Sequence, residues 1–123
     1  MQSLEPMKIT RNKQSGVMVL APDGRLDIVE SPKFEEAVLE VIAGGDTRLV
    51  LDMSAVPYVS SSGLRVIVLG AKKASEAGGG FAVSSPQVIV KKVFQAAGMQ
   101  NLFKTFDALD EAVASLAGGE SPR

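Results

Sequence analysis

Ser60, Ser61 and Ser62 stand in a row ahead of Gly63-Leu64, and two aspartates, Asp27 and Asp52, each follow a leucine. A serine at a helix start accepts hydrogen bonds from the free backbone N–H groups of the first turn, and residue type alone assigns the run that role. Asp27 and Asp52 suit the anchoring of turns and loops. Acid–base work would need them in a pocket with a nucleophile or an anion site, and no such set converges in the sequence. The chain of 123 residues has no Cys and no His, which excludes disulfides, thiolate chemistry, zinc sites, imidazole bases and Ser-His triads. Gly78-Gly79-Gly80 lacks the Gly-Lys-Ser/Thr ending of a phosphate loop and closes a helix instead of opening one. The sequence therefore predicts a protein that is not an enzyme, with no metal and no cofactor.

Charge narrows the partners further. Thirteen basic against fourteen acidic residues leave a net charge of -1, without the footprint that nucleic acid or an anionic membrane surface requires. No apolar run approaches the roughly 20 residues that cross a bilayer, and residues 1–11 lack the core of a signal peptide. A cytoplasmic protein is expected. The length and the 46% apolar content fit one compact domain with its own core.

The elements that must position the serines follow from periodicity and punctuation. Lys8 to Thr10 and Val17 to Ala21 read as strands of a hairpin, with Asn12 to Gly16 as the turn. Ser31-Pro32 reads as an N-cap and first helical residue, and Phe34, Val38, Val41 and Ile42 form one apolar stripe ended by Gly44 as a left-handed cap. Leu49-Val50-Leu51 is continuous and apolar, as in a central strand covered on both faces. A loop from Ser54 to Ser60 leads to a helix from Ser61 or Ser62 to Ala77, with Leu64, Ile67, Val68, Ala71 and Ala74 toward the core. Arg65, Lys72, Lys73 and Glu76 face away, with Leu69 among them. Phe81 to Ser84 is a strand, and Val90, Val93, Phe94 and Ala97 mark a third helix. Leu102 to Phe106 suggests a last strand, and Asp107 caps a final helix carrying Leu109, Ala112, Val113 and Leu116. Strands alternating with helices predict an α/β fold with a mixed sheet of four to five strands, an N-terminal hairpin and about four helices.

The segment Leu51-Asp52-Met53-Ser54-Ala55-Val56-Pro57-Tyr58-Val59-Ser60-Ser61-Ser62-Gly63-Leu64 resembles the signature of STAS domains, the family containing the anti-anti-sigma factors of bacterial partner switches. The resemblance extends to Gly24-Arg25-Leu26-Asp27, Lys72, Ala77-Gly78-Gly79, Val93-Phe94 and Gly98-Met99, and so covers nearly the whole chain. It implies a single STAS-like domain over residues 7–117, with flexible termini at 1–6 and 118–123. Two positions depart from the family pattern. Ser60 stands where many members have Asp, and Pro86 sits two residues before the proline that often begins the third helix.

Aligned on the Ser-Gly-Leu that follows, the family's phosphoacceptor falls on Ser61, with Ser60 and Ser62 as substitutes. The resemblance implies an anti-sigma factor antagonist that binds an anti-sigma factor of the histidine-kinase-like ATPase class when unphosphorylated. Phosphorylation at Ser61 releases it, and a PP2C-type phosphatase restores it. Partner contact is expected from Asp27, Ser60, Ser62, Arg65 and Leu69. A phosphate adds about two negative charges near the positive end of a helix, which the fold tolerates and a docked partner does not. The alternative is a non-phosphorylated STAS scaffold or small-ligand-sensing module in another signalling or transport complex, for which the missing Asp leaves room. A small hydrolase built on Asp52 or Asp27 is the least supported class.

Overall fold

The computed structural model describes residues 6–117, so the flexible ends expected at 1–6 and 118–123 lie, apart from Pro6, outside the described residues. In chain order the elements are strands β1 (Lys8–Gln14) and β2 (Val17–Asp23), helix α1 (Ser31–Ala43), β3 (Arg48–Asp52), α2 (Ser61–Glu76), β4 (Gly80–Ser84) and α3 (Val88–Ala96). A short helical turn (Met99–Asn101), β5 (Lys104–Phe106) and α4 (Leu109–Ala117) complete them. The five strands lie in the order β1-β2-β3-β4-β5. The first pair is antiparallel and the rest are parallel, the mixed α/β sheet with an N-terminal hairpin that the sequence predicts.

Because the strand order advances one place at a time, crossovers of a single hand carry α1, α2 and α3 to the same face of the sheet. Alternation along the strands then divides the core in two. Leu20, Leu49, Leu51 and Val83 meet Phe34 and Val38 of α1, Val66 and Ile67 of α2, and Val90 and Phe94 of α3. Val17, Val19, Val50 and Ala82 point the other way, onto Ala112 and Val113 of α4. Burial of each such leucine or valine stabilises by roughly 1.5–3 kcal/mol, so β3, central and buried on both faces, is the strand on which both layers depend. The outer strand β1 has polar Thr10 and Asn12 exposed beside Ala21 and Val19, while Arg11 and Lys13 pair with Glu40 and Asp46 at 2.6 and 2.7 Å.

Several boundaries differ from the sequence reading, each for a local reason. The hairpin turn is only Ser15-Gly16, both at positive φ (53° and 79°), and Asn12 to Gln14 continue β1 because they pair with Val17 to Val19. The left-handed residue after α1 is Gly45 (φ 103°), not Gly44 (φ -80°), since the N–H of Asp46 reaches back to the Val41 carbonyl. On α2 the buried face is Gly63, Val66, Ile67, Gly70, Ala71 and Ala74, with Leu64 and Val68 at its half-buried margin; small residues let the helix sit closer than the large apolar ones suggest. The last strand starts at Lys104, because Phe103 turns into the core and Leu102 out to solvent. Ala97 is the exposed C-cap of α3 and lies outside its buried face. Asp107 precedes α4 by two residues and pairs with Lys91 at 3.5 Å, so it is not the cap of that helix.

Candidate functional site

The segments that leave β2, β3 and β4 all emerge at one end of the sheet, and hydrogen bonds knit them together. After β2, the N–H groups of Gly24 and Leu26 donate to the carbonyls of Ala55 and Tyr58 at 3.0 and 2.9 Å, and the Ser60 N–H donates to the Leu26 carbonyl at 2.9 Å. Leu26 and Val59 thereby form an isolated parallel bridge. After β3, Met53 N–H reaches the Ser84 carbonyl at 2.9 Å, and Gln87 Nε2 donates to the Ser54 carbonyl at 3.1 Å. Arg25 lies over the Tyr58 ring at 4.2 Å, a cation–π contact that straps the first two segments from outside.

This platform separates the three serines. Ser60 is the N-cap of α2, and its hydroxyl accepts from Gly63 N–H and donates to the Leu26 carbonyl, each at 3.2 Å. Its capacity is spent on the fold, and it does the capping that an Asp at this position would do equally well. Ser62 is half-buried. Ser61, the first helical residue, is exposed, and no hydrogen bond among the described residues engages its hydroxyl. Gly63 explains the tight entrance to α2: a Cβ there would meet Leu26 Cγ and the Leu26 carbonyl oxygen at 2.9 Å and Val59 Cγ1 at 3.0 Å.

The remaining predicted residues are distributed around this entrance. Asp27 is half-buried, and its Oδ1 accepts from the N–H groups of Val29 and Glu30 at 3.1 and 3.0 Å. Ser31, read in the sequence as the N-cap, is instead the first residue of α1; Glu30 is the cap position, and the Ser31 hydroxyl donates to the Asp27 carbonyl at 2.7 Å. Asp52 Oδ1 accepts from Ser54 N–H at 3.1 Å, which holds the loop after β3. Arg65, one turn along α2 from Ser61, is exposed and reaches Glu35 of α1 at 3.3 Å. Leu69 is half-buried a further turn away. The structure thus gathers Ser60, Ser61, Ser62, Asp27 and Arg65 at the end of the sheet where β3 finishes in Asp52, and leaves Leu69 toward the middle of α2.

Sequence reasoning missed the exposed apolar side chains at this end of the sheet. Ile28 (72% exposed), Val29 (75%), Val88 (71%), Ile89 (60%) and Tyr58 (40%) are five of the six large apolar side chains exposed among the described residues, and all five belong to this end of the sheet. Their signal was present: Val88-Ile89 fall outside the Val90–Phe94 stripe of α3, and Ile28-Val29 lie between a turn aspartate and a helix start. One more polar atom marks the floor. Ser84 Oγ, at the end of β4, is fully buried and has no hydrogen-bond partner among the described residues.

Among the described residues, no group of three or more His, Cys, Asp or Glu is placed to hold a metal ion, and no helix is long and apolar enough to cross a membrane. The family model for the STAS domain matches residues 8–112. Over 123 residues the chain is 28% identical to the anti-sigma-F factor antagonist RsfB of Mycobacterium tuberculosis, covering all of both chains. The crystal structure of an anti-sigma factor antagonist from Mycobacterium paratuberculosis superposes with a TM-score of 0.85 at 25% identity, covering 94% of this chain and 98% of that one. The phosphorylated form of Bacillus SpoIIAA shares the fold alone, with a TM-score of 0.70 at 17% identity over 88% of this chain and 98% of its own.

Proposed function

The chain belongs to the STAS domain family, and on that premise we propose that it is an anti-sigma factor antagonist whose hold on its partner is governed by phosphorylation of Ser61. The carrying observation is the division of labour among the serines. Ser60 is committed to the helix cap and Ser62 is half-buried, while Ser61 is exposed, with no hydrogen bond to its hydroxyl among the described residues, at the end of the sheet that carries the exposed apolar side chains. In this reading Ile28, Val29, Val88 and Ile89 dock against an anti-sigma factor of the histidine-kinase-like ATPase class, and Asp27, Ser60, Ser62, Arg65 and Leu69 shape or flank the contact.

Docking occurs in the cytoplasm and frees the sigma factor. The captor transfers the γ-phosphoryl group of ATP to Ser61 Oγ, with loss of the hydroxyl proton. The first turn of α2 carries no acidic residue to repel the new dianion, and the helix end favours it. A partner that buried the same surface would instead have to desolvate about two negative charges. Hydrolysis by a PP2C-type phosphatase resets the switch. The protein contributes binding and an acceptor hydroxyl, and catalysis belongs to its partners.

The test is incubation of the chain with ATP and each histidine-kinase-like ATPase of the source genome, followed by peptide mapping. Label on Ser61, lost in Ser61→Ala, is expected. Tight capture by such a partner with no label on Ser60, Ser61 or Ser62 would favour the non-phosphorylated scaffold instead.

A further inference from the structure

We propose that Arg65 is an internal ligand for a phosphate on Ser61, and that it leaves Glu35 to take it. The inference rests on Ser61 being the acceptor, and it concerns what the phosphate then meets within this chain. Arg65 lies four residues beyond Ser61 in α2, the spacing that places two side chains on the same helix face, one turn apart. Its guanidinium is held by one hydrogen bond, from Nη2 to Glu35 Oε1 at 3.3 Å, with the arginine side chain 66% and the glutamate side chain 31% exposed. An exposed contact through a single nitrogen is weak. A phosphate offers about twice the charge of the carboxylate and an oxygen face that the guanidinium fork can grip with two nitrogens. Arg25, the other arginine at this end, is occupied over Tyr58.

The exchange has consequences on both sides of the docking face. Before phosphorylation, Arg65 and Glu35 form a neutral pair that ties α2 to α1. Afterwards Arg65 offsets part of the phosphate charge, and the Glu35 carboxylate is left uncompensated on α1, the helix that follows exposed Ile28 and Val29. One modification thus changes the charge seen by a partner at two places. Arg65 is a positioning residue in this scheme, since it acts on the phosphate and not on any reacting atom.

The test uses protein with phosphoserine incorporated at position 61 during translation, so no kinase is needed. Phosphorus NMR follows the second phosphate ionisation with pH in wild type, Arg65→Gln and Glu35→Gln. The expected midpoint in wild type lies below that of Arg65→Gln by roughly half a pH unit, the size of an exposed ion pair, and the gap shrinks in high salt. Glu35→Gln moves the midpoint lower still, and the Arg65 Nε–H resonance of wild type titrates with the phosphate. Equal midpoints in wild type and Arg65→Gln, or an Arg65 resonance that ignores the phosphate, would overturn the proposal while leaving Ser61 as the acceptor. Failure of every kinase to label Ser61 would remove the acceptor reading without touching this measurement.

Discussion

At the end of the sheet where β2, β3 and β4 finish, side chains join the backbone in the reversals: Asp27, Asp52 and Ser60 hold the turns beside Gly24 and Ser85 at positive φ, and apolar residues are left facing water. At the opposite end, where the parallel strands begin, the reversals are made by backbone, and each strand from β2 to β5 is entered after a glycine at positive φ: Gly16, Gly45, Gly78 and Gly98. Glycine turns close an end cheaply and offer a partner little to hold. Side-chain turns leave polar and apolar groups on show, and that end carries the unengaged Ser61. On the proposed function, the difference separates stability from recognition along the length of one small domain.

The comparison can be broken most forcefully at its glycines. A Cβ on Gly79 would run into the Thr47 carbonyl, which is backbone and cannot yield, so Gly79→Ala should cost about 3 kcal/mol or more in urea unfolding. The molecules that remain folded should still bind the partner normally. Gly63→Ala should cost less, about 2 kcal/mol, because a leucine and a valine side chain supply part of the clash. It sits at the other end, however, and should weaken partner binding by more than its unfolded fraction explains. If both variants impaired binding only through unfolding, the separation of roles would fail.

Surface variants sharpen the contrast in the opposite direction. Ile28→Asp should leave the unfolding midpoint nearly unchanged, within about 0.5 kcal/mol, while titration calorimetry shows partner affinity falling about tenfold or more, since a charge enters an apolar contact. A smaller effect is expected at the cap. Ser60→Ala should lose about 1 kcal/mol of stability, whereas Ser60→Asp should be close to neutral because either side chain caps Gly63 N–H. A large loss in Ser60→Asp would show that the hydroxyl bond to the Leu26 carbonyl, which a carboxylate cannot donate, matters more than the cap.

Much of this architecture is legible in the amino-acid order, and the failures are instructive. The apolar run at Leu49 to Leu51 identifies the central strand, because only a doubly covered strand needs it. The hairpin is misjudged because Asn12 is a turn former by type and Lys13 and Gln14 are polar, yet all three stand on an outer strand where polar side chains are tolerated. The three serines are chemically identical in sequence. What distinguishes them is the register of α2, set where Gly63 must fit against Leu26, and that is a tertiary fact. The exposed Ile28, Val29, Val88 and Ile89 escape a reading built on helix stripes and strands, because all four lie outside the periodic positions it follows.

The most direct measurement compares the affinity of the anti-sigma partner for two forms of the chain, unmodified and carrying phosphoserine at position 61. The account predicts tight binding by the first and a loss of about tenfold or more in the second, with thermal unfolding unchanged. Equal affinity for the two forms would contradict it.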